Sequence, residues 1–334
     1  MKMKLLSIVA GLIGLAVVIA LVVHEGYQPI LQLLGLAGWG LLWLIPFHVL
    51  PLLLDVEGWR VLLKPSDPQH RASLPFLWWI ATVREAVGRL LPVASVGGEI
   101  VGIRLVLLRP LSGPAVTASV VIEVLLTLVN QFLFTALGLV LLVTLLHSTD
   151  TSDALIIGLA VSLPVPIGLY LLLRHGSLFT RMQRVVLSML GNTSRLAGLL
   201  GNSAALDQEL RKLFAQPGRL AQSLCWQQAG MVLGSFEVWL ILWLLGHPVS
   251  AWEALTLESL TLAVRHFAFF VPGGIGVQEA GLVLFGNLIG LPADLAVALS
   301  LAKRVREIGF GVPALLSWQW VEGRRLQQAL SRRA

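Results

Sequence analysis

Pro92-Val93-Ala94-Ser95-Val96-Gly97-Gly98-Glu99 and Pro272-Gly273-Gly274-Ile275-Gly276-Val277-Gln278-Glu279 are two polar islands in an otherwise apolar chain. In each, a proline is followed seven residues later by a glutamate, with paired glycines between. Proline removes a backbone donor and glycine loosens the backbone, so each island breaks a helix. Arginine precedes both breaks: Arg84 and Arg89 before the first, Arg265 before the second. Charge next to broken helix in apolar surroundings is costly unless it faces protein or water. Two such breaks, half a chain apart, point to a core of discontinuous helices.

The surrounding composition sets the solvent. Of 334 residues, 56% are hydrophobic and 13% charged, and the mean hydropathy is +0.83. Soluble domains carry about 25% charged residues, so this is an all-α polytopic membrane chain. The formal charge of +6 does not imply a nucleic-acid partner, because the basic residues gather at the ends of apolar runs. The one cysteine, Cys225, cannot form an internal disulfide and reads as a buried structural thiol. Lys2 and Lys4 precede an apolar stretch, 5–23, with no small-residue cleavage pattern after it, which predicts an uncleaved first helix.

Six apolar runs, near 5–23, 37–59, 115–147, 153–173, 220–246 and 293–320, are long enough for full spans. Four shorter runs come as two adjacent pairs, 74–108 and 254–290, each joined by an island. They predict two re-entrant helical hairpins. With the N-terminus in the cytoplasm, 18 of the 24 Lys and Arg fall on cytoplasmic stretches and none on the outer loops, which places both termini inside. In this topology 5–147 and 153–320 are inverted repeats within one membrane domain, 1–334. The second is interrupted by a cytoplasmic interfacial connector, 174–219. Such repeats recur in alternating-access transporters, with the site where they meet.

Six cations fall inside the apolar segments: Arg84, Arg89, Arg265, Lys303, Arg304 and Arg306. Glu85 and Arg89 are i and i+4 and face one another, while Arg84 diverges from Glu85 by about 100°. A cation beside the free N–H groups of a half-helix makes an anion site suited to phosphate. A structural ion pair locking the hairpin is the competing reading. Glu99 and Glu279 open the returning half-helices, as proton or cation sites, as partners of the arginines, or as plain caps. Glu123, Thr127, Asn130 and Gln131 form a polar stripe on one span. Lys303, Arg304, Arg306 and Glu307 cover roughly 160° of another at 100° per residue. Glu237 stands alone in mid-span. There is no phosphate-binding Walker loop, no metal-ligand spacing and no activated nucleophile, so neither a metal, a cofactor nor an enzyme is expected.

The stretch 83–99 and the block 270–281 together resemble the signature of the flippase-like membrane proteins that share the transmembrane region of lysylphosphatidylglycerol synthetase, including the YbhN-type proteins. The tail 302–313 is most similar to the hopanoid-biosynthesis-associated HpnL branch. The likeness covers essentially the whole chain. It implies a bacterial inner-membrane protein that handles an amphipathic lipid. It further implies Arg84, Glu85, Pro92, Gly97, Gly98, Glu99, Arg104, Pro272, Gly273, Gly274, Glu279, Arg304, Arg306 and Glu307 as signature positions. No aminoacyltransferase domain is expected after residue 334, so lipid lysylation is not implied. The first expectation is a lipid translocator, with Arg84, Glu85, Arg89, Glu99, Arg104, Glu123, Arg265, Glu279, Arg304, Arg306 and Glu307 as substrate-binding residues. Pro92, Gly97, Gly98, Pro272, Gly273, Gly274 and Gly276 would shape the hairpin tips. Two alternatives stay open: an intramembrane lipid phosphatase or transferase, and a non-catalytic partner of hopanoid- or lipid-synthesis enzymes. A homo-oligomer is compatible with any of the three.

Overall fold

The computed structural model describes residues 12, 15–24, 26–91, 96–146, 168, 203–268 and 271–331. Among them all regular structure is helical. A short apolar helix, α1 (Leu15–His24), is followed by α2 (Tyr27–Ala37), a 3-10 turn (Gly38–Trp43) and α3 (Leu44–Leu63). Then come α4 (Leu74–Leu90), α5 (Val96–Val106), α6 (Gly113–Leu146), α7 (Ser203–Phe214), α8 (Pro217–Leu244), α9 (Ala251–Phe267), α10 (Val277–Leu288) and α11 (Ala293–Ser331). Two stretches, Tyr27–Ser66 and Gly113–Leu146, are long and apolar enough to cross a membrane. The expected span at 153–173, most of the connector 174–219 and the tip residue Pro92 lie outside the described residues.

Local signals account for most helix boundaries. Helix α4 stops at Leu90, two residues before Pro92, because the position before a proline disfavours helical backbone. Helix α8 opens on Pro217, and α6 on Gly113-Pro114, where proline's missing N–H is no loss. Ser250 and Glu253 form a reciprocal capping box at the start of α9, with the Glu253 N–H donating to Ser250 Oγ at 3.2 Å and the Ser250 N–H to Glu253 at 2.6 Å. Helix α2 departs from the sequence reading, in which 24–36, between the apolar runs 5–23 and 37–59, is an outer loop. Only Gln28 and Gln32 interrupt its apolar character, and Gly38 ends it at φ +47°.

The chain divides into two compact units. One comprises 1–49, 78–102 and 236–334, and so contains both Pro/Gly breaks. Its core is built around α11, which is buried all the way round from Leu295 to Ser300. Ile30, Leu44, Val238, Ile241, Leu257 and Leu282 pack on Ala296, Ala298, Leu299 and Ala302. The alanines leave room for helices to approach closely, which is how helices pack where lipid removes the hydrophobic drive between them.

The other unit comprises 50–77 and 103–235. Here Leu206, Leu210 and Leu213 of α7 pack on Ala118, Ile122 and Leu126 of α6 and on Leu62. The described end of the predicted connector therefore turns its apolar stripe onto protein. The polar stripe of α6 meets α8: the Asn130 side-chain amide donates to the Leu224 carbonyl and to Gln227 Oε1, both at 3.1 Å. Cys225, expected to be buried, is exposed on α8; it sits on the outward face of that helix, where a small apolar thiol needs no protein partner when the surroundings are lipid.

Candidate functional site

The helices flanking each break, α4 with α5 and α9 with α10, pack closely, and glycine makes the approach possible. A Cβ on Gly98 would lie 2.5 Å from the Arg84 carbonyl oxygen, and one on Gly102 would lie 2.5 Å from the Arg84 side chain. Helix α5 thus lays its glycine face on Arg84 of α4, with Gly97 in its first turn. Arg84 crosses the gap to pair with Glu99. In the second hairpin Gly281 faces Thr261, and the Arg265 guanidinium donates to Gln278 Oε1 at 2.5 Å.

The second tip is built from three glycines with positive φ, Gly273 at +61°, Gly274 at +61° and Gly276 at +81°. Side-chain-bearing residues adopt this backbone only at a cost. The tip rests against the end of α4, where a Cβ on Gly273 would come within 2.6 Å of the Arg89 carbonyl oxygen. Arg265 and Arg304 each donate to the Gly273 carbonyl at 2.9 Å, and Arg304 also reaches the Gly274 carbonyl at 3.3 Å. One N–H at the start of the second returning half-helix is capped within the protein. Gly276 N–H donates to Glu279 at 2.7 Å. Glu279, 1% exposed, also accepts from Ser300 Oγ at 2.9 Å and from Arg304 Nε at 3.1 Å.

From this tip a continuous ion network runs through the unit. Arg304 binds Glu307 at 2.8 Å. Glu307 also meets Arg265 at 3.3 Å and Arg89 at 3.2 Å. Arg89 lies 3.9 Å from Glu85, the i, i+4 pair expected from the sequence. Glu85 then meets Arg306 at 3.3 Å, and Arg306 meets Glu237 at 3.1 Å. His48 of α3 closes the chain, with Nε2 2.8 Å from Glu85 and Nδ1 3.5 Å from Glu237. Two satellite pairs complete the set, Arg84 with Glu99 and Lys303 with Glu258. Each of the six cations of the apolar segments therefore has a carboxylate partner. Glycines on α11 let this happen: Gly311 lies against Leu90 and Ala86, and Gly309 against Ile45.

Nine of the eleven predicted binding residues thus fall in one unit as ion pairs. Arg104 and Glu123 belong to the other unit, where both are engaged in interactions of their own. His48, Glu258, Gln278 and Ser300 were missed, and Glu237 was undervalued. A lone histidine in an apolar run, as in Pro46-Phe47-His48-Val49-Leu50, was the available signal. Its spacing pointed to no partner, because all its partners are distant in sequence.

Comparison with known proteins identifies the family. The family model described as the lysylphosphatidylglycerol synthase TM region matches residues 7–314. No curated protein and no solved structure matches the chain.

Proposed function

We propose, from the premise that this chain belongs to the family of the lysylphosphatidylglycerol synthase TM region, that it is a lipid translocator. Membership makes it a membrane protein of lipid metabolism or transport. The specific reading is that the arginines hold a polar or anionic headgroup, of a phospholipid, a hopanoid-type lipid or a polyprenyl phosphate, while its tails stay in the bilayer. The two hairpins are re-entrant from opposite faces and rock to present the head to each leaflet in turn. The membrane is the bacterial inner membrane, with both termini cytoplasmic.

One observation carries this reading: four arginines, Arg89, Arg265, Arg304 and Arg306, are threaded on four glutamates beside the hairpin break. A headgroup phosphate can replace a carboxylate on any of them, because arginine binds both through the same fork of donors. The network thus offers a headgroup a series of equivalent steps. Intramembrane arginines that serve no substrate are costly to keep. The enzyme reading gains less support. It needs a water-activating base beside the arginines, and of the two glutamates that open the returning half-helices, Glu99 and Glu279, the second already accepts from a backbone N–H, a hydroxyl and a guanidinium.

The test is leaflet exchange of labelled phospholipid, hopanoid and polyprenyl-phosphate probes in vesicles holding the purified protein. Exchange of one class, reduced about tenfold or more in a folded Arg265→Gln variant, is expected; tenfold is 1.4 kcal/mol at the barrier. Undiminished exchange in that variant rejects the role given to the arginines. No exchange by the wild type, with phosphate released from a polyprenyl pyrophosphate, would transfer the case to an enzyme.

A further inference from the structure

The network carries one group that the translocation reading does not use. Its four arginines balance its four glutamates, Glu85, Glu237, Glu279 and Glu307, so its net charge is set by His48 alone. The imidazole lies among charged groups on three other helices: Glu85 of α4, backed by Arg89; Glu237 of α8; and Arg306 of α11, with Lys303 one turn earlier. The edge of Phe310 closes the remaining side, 4.9 Å from the imidazole centre at 86°.

This geometry has a partner for either protonation state. With a proton on both ring nitrogens, Nε2–H donates to Glu85 at 2.8 Å and Nδ1–H points to Glu237 at 3.5 Å. Carboxylates only accept, so serving both requires both protons. When the Nε2 proton leaves for water, the freed lone pair faces the Arg306 guanidinium, whose Nη1 lies 3.4 Å away. Glu85 Oε1 keeps Arg306 at 3.3 Å and Arg89 at 3.9 Å, while Oε2 gives up its imidazole donor. The ring nitrogen has a partner in place in either state, and the doubly protonated ring, which serves Oε2 as well, is the better satisfied of the two.

We propose that His48 is a reversible proton-binding site, and that its proton offsets the single negative charge of a lipid headgroup held by the same arginines. The second half rests on the translocation reading and the first does not. The sequence of charges is simple. The empty network with neutral His48 is uncharged. A monoanionic headgroup would leave it at minus one in a low-dielectric setting. One proton on Nε2 restores neutrality, so headgroup and proton enter together.

The experiment reads the imidazole itself. Protein with nitrogen-15-labelled histidine, in nanodiscs of phosphatidylcholine, is titrated from about pH 4 to about pH 10, a range that brackets the ordinary histidine value. The His48 signal is identified by its loss in His48→Gln and, independently, by its ring-current displacement in Phe310→Leu. It is expected to pass between neutral and doubly protonated forms within this range. Glu237→Gln should weaken proton affinity about tenfold, one unit in the midpoint. A signal fixed in one form throughout, or a midpoint that ignores Glu237→Gln, overturns the site. In vesicles, exchange of labelled phosphatidylglycerol should depend on pH in the wild type and lose that dependence in His48→Gln. The same pH profile in both overturns the charge-offset role. Absence of any wild-type exchange rejects the translocation reading, and the titration still decides the proton site.

Discussion

Glu307 shows how little freedom a single buried carboxylate retains. Its side chain is 2% exposed and holds Arg89, Arg265 and Arg304 at once. A buried pair is weak evidence for stability as a whole, since both charges were desolvated to make it, but removing one partner strands the other. Glu307→Gln leaves three guanidiniums with one carboxylate fewer and should destabilise the fold by about 3–5 kcal/mol. Glu209 pairs with Lys212 at the surface, and Glu209→Gln should cost less than about 1 kcal/mol. Thermal unfolding of both variants in the same detergent checks the contrast. The sequence made the charged residues easy to find, because a charge in an apolar run is conspicuous whatever it touches. It did not show who pairs with whom. Arg84 and Arg89 sit five residues apart, yet one turns to its own hairpin and the other to α11. That choice depends on how α4 is rotated against its neighbours, which only packing fixes.

The hairpins are the elements on which the site depends, and glycine sets how near their legs can come. Gly98→Ala puts a methyl group 2.5 Å from the Arg84 carbonyl oxygen, which is backbone and cannot swing away. The legs must separate, and the Arg84–Glu99 pair stretches with them. Gly88 has nothing within 4 Å of an added Cβ, and Gly88→Ala should be neutral or stabilising, by up to about 1 kcal/mol, because alanine favours helix. Gly98→Ala is expected to lose at least about 2 kcal/mol, the scale of overpacking, and chemical denaturation distinguishes the two. The islands were legible as breaks because proline and glycine act locally. The second tip's grip on the Arg89 carbonyl was not, since it joins residues far apart in sequence. Nor was α2 foreseen, where the apolar pattern begins earlier than the loop assignment allowed.

For the whole molecule, the arrangement of charge along the chain makes a topological prediction that Cys225 lets one test. With this exposed thiol replaced, Cys225→Ala, a cysteine introduced at Gln69 should react only from the cytoplasmic face. One introduced at His247 should react only from the outer face. Both positions are exposed. Labelling of both from one side would reverse the placement of the second hairpin relative to the first. The positive-inside count rests on loops and ends, so it reads through even where helix packing is unknown. What it could not reveal is that both breaks fall in one compact unit while the amide-bonded pair of α6 and α8 lies in the other.

The equal numbers of arginine and glutamate in the network have an electrical consequence. Each elementary charge moved across the bilayer exchanges about 2.3 kcal/mol with a 100 mV potential. A neutral assembly that shifts as a body does no such work. The resting voltage of the cell then neither drives the empty protein toward one face nor holds it there. On the proposed reading, a lipid monoanion accompanied by one proton would cross under the same indifference, so the gradients that set its direction would be chemical ones: the lipid's own and the difference in acidity between the two sides.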